Sequence, residues 1–287
     1  MGSKDFRVGP GSKVRLKDWD PDDTGKFKSK DEAQDRLQKG VDKLRDLQEL
    51  LYAQDRWSVL LIFQAMDAAG KDSTIEHVMS GVNPQGCQVF SFKQPSSEEI
   101  DHDFLWRSSK CLPERGRIGV FNRSYYEEVL VVRVHPTYLA GQKLPAELVT
   151  EDIWEERYES INDLEKHLAR NGTVIRKFFL HVSRKEQKER FLARLDRPEK
   201  NWKFAVGDVK EREHWDDYMH AYEEMIEATS TKHAPWYIIP ADHKWFMRMA
   251  VADVIVDTLE KMDLHFPKLE EGKLAELQES RRMLESE

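Results

Sequence analysis

Apolar positions follow two rhythms along this chain. Between residues 31 and 54 they recur every three or four positions, at Ala33, Leu37, Val41, Leu44, Leu47 and Leu51. That spacing places them on one face of a helix. At Trp57 the rhythm changes. Trp57-Ser58-Val59-Leu60-Leu61-Ile62-Phe63 is short and almost continuously apolar, as a parallel strand covered on both faces requires. Comparable runs occupy Cys87 to Phe92, Arg117 to Phe121 and Val174 to Val182, and a shorter one, Trp236 to Ile239, stops at Pro240. Helical patterns lie between them, over 71–80, 97–111, 123–131, 146–169, 184–195, 208–229 and 244–262. Strands alternating with helices predict an α/β fold with a mostly parallel five-stranded sheet, flanked by helices on right-handed crossovers. Residues 1–30 are polar and read as an extended arm. Residues 31–265 read as a single domain. Residues 266–287 read as a charged tail or helix with Leu269, Leu274, Leu277 and Leu284 at irregular helical spacing.

Composition narrows the class. The chain has 287 residues, of which 39% are hydrophobic, and includes 8 Trp, 13 Phe and 8 Tyr. So many buriable rings exclude an intrinsically disordered chain. No apolar run approaches the roughly 18 residues of a membrane helix, and the opening MGSKDFRVGPGSKV lacks the apolar core of a secretory signal. The two cysteines, Cys87 and Cys111, form no metal or redox spacing. They are expected as reduced thiols in a cytoplasmic protein.

The first apolar run leads into Gln64-Ala65-Met66-Asp67-Ala68-Ala69-Gly70-Lys71-Asp72-Ser73-Thr74. Small residues permit a sharp turn into a helix near Lys71. Loop N–H groups and the helix N-terminus together favour a phosphate, and a lysine at this point reaches phosphate oxygens as a mobile charge. The match to G-x-x-x-x-G-K-[ST] is incomplete, because Ala65 replaces the first glycine and Asp72 the Ser or Thr. The strand–loop–helix context supplies what the expression lacks. A tight turn without ligand is the bland reading. Asp67 speaks against it, since a carboxylate in a phosphate loop repels its ligand unless a cation lies between. Magnesium takes one or two carboxylates plus phosphate oxygens, so Asp67 reads as a metal ligand or as an orienter of the phosphate acceptor. Asp72 reads as support, or as an acid favouring the helix dipole.

The third apolar run ends in Phe121-Asn122-Arg123-Ser124-Tyr125-Tyr126-Glu127-Glu128. Ligands of open α/β sheets sit at the carboxyl ends of strands, so Arg123 is expected near the phosphate loop, with its guanidinium fork on phosphate oxygens. Pairing with Glu127 at i, i+4 is the plainer alternative. Arg107, in Asp103-Phe104-Leu105-Trp106-Arg107, is a candidate for the same cleft or for a surface pair. Tyr125 and Trp202 are candidates for packing on a base or for the core.

The net charge of −8 argues at first against a polyanionic partner. Its distribution changes that inference. Residues 170–212 carry 13 Lys and Arg against 6 Asp and Glu, a net of +7. This block centres on Arg194-Leu195-Asp196-Arg197-Pro198-Glu199-Lys200-Asn201-Trp202-Lys203-Phe204, where Pro198 ends a helix. Lids of this character close over phosphates and exclude water. Residues 142–167, with 3 basic and 8 acidic side chains, and 213–229, with 6 acidic and no Lys or Arg, read as solvated helix faces. A polyanion meets the local field rather than the average. The ten histidines show no metal spacing, and His135, His181 and His243 read as structural or cleft-lining. No G-x-S-x-G elbow is present.

Together these segments resemble the polyphosphate kinase 2 family. Ala65 to Ser73 is similar to its Walker A segment, Phe121 to Glu127 to its Walker B segment, and Arg194 to Phe204, through Asp208, to its lid. Asp103 to Arg107 and Ile239-Pro240-Ala241-Asp242 are also similar to family segments. The resemblance runs from about residue 12 to about residue 265. It implies a thymidylate-kinase-like P-loop fold with a helical lid at about 196–212. It also implies Mg2+-dependent transfer of a phosphoryl group between inorganic polyphosphate and AMP, ADP or ATP, with guanine nucleotides and Mn2+ as alternatives. Carried over by position, Asp67, Lys71 and Arg123 are catalytic, with Asp67 on magnesium. Ala68, Ala69, Gly70, Lys71, Asp72, Ser73, Arg197, Lys200 and Lys203 bind phosphate. Asn122, Arg123, Tyr126, Glu127 and Arg107 bind nucleotide. Asp72-Ser73 after the lysine, and Asn122 where other branches carry Asp, resemble the class III branch, whose sequences are similar to enzymes accepting nucleoside mono- and diphosphates. A neutral Asn122 leaves more of the metal binding to Asp67. The resemblance further implies a homodimer or homotetramer, with neither nucleic acid nor membrane as partner. Competing readings are an ATP-dependent nucleoside monophosphate kinase and a non-catalytic nucleotide or polyphosphate sensor.

Overall fold

A computed structural model describes residues 2–27 and 29–287, and the side chains of Lys203 and Glu271 lie outside the description. Five strands form one sheet: β1 Ser58–Gln64, β2 Cys87–Ser91, β3 Ile118–Asn122, β4 Thr173–His181 and β5 Trp236–Pro240. Their order is β2-β3-β1-β4-β5, and every pair is parallel. β1 is central and buried throughout, which explains its unbroken apolar run. Phe63 at its carboxyl end pairs with Asn122 on one side and Phe178 on the other. The order of strands reverses at β1, so the cleft beyond β1, β3 and β4 is where a ligand belongs.

The helices are α1 Lys30–Gln54, α2 Lys71–Val78, α3 Ser97–Ile100, α4 Trp106–Ser109, α5 Val131–Val134, α6 Pro136–Ala140, α7 Ile153–Arg170, α8 Arg184–Leu195, α9 Val206–Glu211, α10 Trp215–Thr229, α11 Lys244–Glu260 and α12 Glu271–Glu285. Adjacent residues of a strand face opposite sides of a sheet. On β4, Arg176 bonds Thr258 of α11, whereas Lys177 bonds Glu165 of α7. These helices therefore cover opposite faces. α1 begins at Ser29, whose hydroxyl accepts from the Glu32 amide, and its buried stripe of Ala33, Val41, Leu44, Leu47 and Leu51 follows the predicted spacing.

Two helical expectations need correction. The 97–111 helix is two short pieces, because Asp103 accepts from the Leu105 amide at 2.9 Å and turns the chain between them. The 123–131 segment opens with Arg123 at φ 65°, which no α-helix tolerates. Ser124 then caps a 3-10 turn over Tyr125–Val129. The N-terminal arm is docked: Phe6, Val8, Val14, Leu16 and Phe27 join the core, and the Val8 amide bonds the Trp236 carbonyl at 2.9 Å.

The acidic segment 142–167 is not wholly solvated. Glu165 is fully buried and pairs with buried Lys177 at 2.6 Å. Lys177 also donates to the Tyr126 hydroxyl and the Thr229 carbonyl, and both Tyr125 and Tyr126 donate to Glu165. Burial lowers the Lys177 pKa, and Glu165 opposes the shift. An ammonium with three acceptors fulfils the condition for keeping a charge in a core.

Candidate active site

Between β1 and α2 the chain passes through Ala65–Gly70. Gly70, at φ 107°, caps α2, and a Cβ there would meet Met247 Cε at 3.2 Å. The positive φ favours glycine, and a Cβ would also press on the end of the Met247 side chain. Ala68 is also left-handed, at φ 60°, which costs a non-glycine residue about 1 kcal/mol. Helix α8 holds that conformation. Arg190, buried, donates to the carbonyls of Ala68 at 3.1 Å and Ala69 at 2.5 Å, and to those of Ala241 at 2.6 Å and Asp242 at 3.0 Å. Gln187 donates to the Asp67 carbonyl at 2.9 Å. Neither residue was singled out from the sequence. Their i, i+3 spacing on the helix that follows a strand's carboxyl end was the available signal.

Lys71 folds back on the loop, with Nζ 2.7 Å from the Ala65 carbonyl and 3.4 Å from that of Met66. Burial, reinforced by Arg123, lowers its pKa to about 8, against the pull of Asp67, Glu127 and Asp72. Arg123 reaches across from the end of β3 and donates to Asp67 Oδ1 at 2.8 Å, with Glu127 4.0 Å away. Burial works against the Arg123 charge, but Glu127 and Asp67 outweigh it and raise its pKa. Asn122 donates to Asp72 at 2.5 Å, and Ser73 turns its hydroxyl onto the Gly70 carbonyl. Asp67, Lys71, Asp72, Asn122, Arg123 and Glu127 are therefore brought together.

Tyr126 and Arg107 are not part of this group. Tyr126 is fully buried, with its hydroxyl in the Lys177–Glu165 network, so it serves the core. The 3-10 turn that replaces the expected helix directs it inward. Tyr125 is likewise core, and Trp202 is 78% exposed. Arg107 donates to the Lys93 carbonyl at 2.8 Å and lies 3.7 Å from Glu99, holding the segment after β2.

The segment expected as a lid is a 3-10 turn over Pro198–Lys203 followed by α9. Asn201 bonds the last carbonyls of α8, and Arg194 lies 3.6 Å from Asp208. Arg197 is exposed and Lys200 half-buried, while the Lys203 side chain lies outside the described residues. Lys244 and Arg248 of α11 extend this basic side. Burial first, then Arg190, Lys200 and Arg248, lower the Lys244 pKa. Two other residues of the +7 block are turned elsewhere, Arg176 to α11 and Lys177 to the core.

A cleft beside this segment is lined by Asp67, Arg123, Glu127, Asp208, Glu211 and Tyr222, among others. Burial, then Asp67, raise the Asp208 pKa. Among the described residues no group of three or more His, Cys, Asp or Glu is placed to hold a metal ion. A magnesium ion held mainly by phosphate and water needs only one or two protein carboxylates, and Asp67 and Asp208 line this cleft.

A family model described as Polyphosphate kinase 2 (PPK2) matches residues 27–267. The chain belongs to the polyphosphate kinase 2 family. This family member is 54% identical over 283 residues to the ADP-polyphosphate phosphotransferase of Rhodopseudomonas palustris, covering 98% of each chain. It is 46% identical to the AMP/ADP-polyphosphate phosphotransferase of Meiothermus ruber, over 93% of this chain and 96% of that one. The crystal structure of polyphosphate kinase 2 from Arthrobacter aurescens TC1 superposes with a TM-score of 0.88 at 40% identity, covering 97% of both chains. The sheet is thus that of a P-loop kinase fold, as the loop, lysine and strand order suggested.

Proposed function

We propose that this protein transfers a phosphoryl group between inorganic polyphosphate and AMP or ADP. The observation that carries the reading is the Arg123–Asp67 pair beside buried Lys71, at the point where the strand order reverses. A pure anion binder gains nothing from Asp67. An ATP-dependent nucleoside monophosphate kinase would want a Ser or Thr where Asp72 bonds Asn122. Lys71 exchanges two loop carbonyls for phosphate oxygens, and Arg123 exchanges Asp67 for the nucleotide phosphate. Lys200, Lys244 and Arg248, with Arg197 on the lid, offer a positive side for the polyphosphate chain. Asp67 would hold Mg2+, or Mn2+ in its place, which when bound would supply charge neutralisation at the transferring oxygens. Positioning and electrostatics suffice, so no protein nucleophile is involved.

We infer a cytoplasmic location from the fit of this chemistry to a nucleotide pool. No helix among the described residues is long and apolar enough to cross a membrane. A homodimer or homotetramer is carried as part of the reading and is read by light scattering on a sizing column. The activity is tested with purified protein, magnesium, long-chain polyphosphate and AMP or ADP, scoring the product nucleotide. Turnover only with ATP plus a nucleoside monophosphate overturns the reading, as does binding without turnover.

A further inference from the structure

Lid and phosphate loop meet at one side chain. Gln187 lies in the first turn of α8 and is 1% exposed. Its Nε2 donates to the Asp67 carbonyl at 2.9 Å, and its Oε1 accepts from Arg212 Nη1 at 2.5 Å. Arg212 follows α9, at the far end of the lid. Its two terminal nitrogens also donate to the Arg184 carbonyl at 3.2 Å, and Arg184 donates back to the Arg212 carbonyl at 3.4 Å. The lid leaves the body at the end of α8 and returns at Arg212, so these bonds close its base against the start of α8.

An amide suits this junction because it carries a donor and an acceptor at its two ends. Arg212 offers only donors and the Asp67 carbonyl only accepts, so the amide orientation is determined. The residue after Asp67 is Ala68, held left-handed at φ 60°. Such a conformation persists only where its surroundings over-determine it. Without the Gln187 bond the loop keeps the Arg190 bonds to the Ala68 and Ala69 carbonyls, but the Asp67 peptide itself loses its side-chain donor from α8.

We propose that Gln187 is a positioning residue of the transfer site, fixing the Asp67 peptide in the register that a docked Arg212 defines. The link makes the placement of Asp67 conditional on closure of the lid base. It rests on the reading that Asp67 acts in phosphoryl transfer.

Gln187→Glu keeps an acceptor for Arg212 and removes the donor to Asp67. In the polyphosphate and ADP assay its kcat falls by about tenfold, equivalent to about 1.4 kcal/mol in the transition state, while KM for ADP stays within about threefold because the binding groups remain. Amides of residues 65–70 exchange faster with deuterium. Arg212→Met gives the same signature, and the double variant is no slower than the slower single one, as two changes on one path require. If Gln187→Glu does not fold, Gln187→Met removes both bonds and is read in the same way. A kcat within twofold of wild type, or losses that multiply in the double variant, overturns the proposal. Asp67→Asn is run alongside. Collapse in Asp67→Asn with an unaffected Gln187→Glu overturns the positioning role alone, whereas full activity in Asp67→Asn overturns the reading of the site as well.

Discussion

Raising the pH from 7 to 9 removes the proton from Lys71 in the free protein, because burial and Arg123 bring its pKa down to about 8. Substrate reverses this. A polyphosphate or nucleotide phosphate at Nζ adds negative charge beside the ammonium and returns its pKa toward or above the usual lysine value. Binding must then take up a proton. The uptake equals the unprotonated fraction of the free state, about 0.1 proton at pH 7, about 0.5 at pH 8 and about 0.9 at pH 9. Calorimetric titration with polyphosphate in buffers of different ionisation enthalpy measures this number directly, as the slope of observed heat against buffer heat. Lys71→Met should abolish the uptake. Asp67 raises the Lys71 pKa, so Asp67→Asn should move the midpoint to lower pH. Uptake below about 0.1 proton from pH 7.5 to 9, or the same uptake in Lys71→Met, refutes the reasoning, since the pKa argument then fails.

Other outcomes follow from single contacts. Lys177→Met leaves Glu165 buried without its cation and should cost about 3–5 kcal/mol in urea unfolding, much of it recovered when Glu165→Leu is added. Tyr126→Phe removes a hydroxyl shared between Glu165 and Lys177 and should cost about 1–3 kcal/mol of stability without changing KM for nucleotide. A raised KM would return Tyr126 to the cleft. Lys244→Ala should raise KM for polyphosphate severalfold, more at low salt than at high salt, and leave KM for ADP unchanged.

The sheet was legible because each of its strands is a bounded apolar run, and the observed strands lie within about a residue or two of those runs. The loop was legible because Asp67, Gly70 and Lys71 are chemically distinctive and directly follow the first strand. Arg123 was legible from its place at the end of β3. Other features were hidden for physical reasons. Gln187 and Arg190 act on backbone carbonyls more than a hundred residues away, and a carbonyl leaves no mark in a sequence. Charge counting put Glu165 on a solvated face and Lys177 in a basic block, although each is the other's buried partner. Tyr126 lies in the segment similar to Walker B and was assigned to nucleotide through that resemblance. A positive φ at Arg123 and the 3-10 turn after it rotate the ring into the core.

Asp67 carries the central claim, that an acid within the phosphate loop takes part in transfer rather than only holding the loop together. Its most direct test is single-turnover formation of ATP from ADP and polyphosphate, with saturating substrates and magnesium, in wild type and Asp67→Asn. The expected fall is at least about a hundredfold, the size of effect produced by removing one preorganised electrostatic group, with the fold and polyphosphate binding retained. A rate within about threefold of wild type would contradict it, because the loop would then be transferring phosphate without its acid.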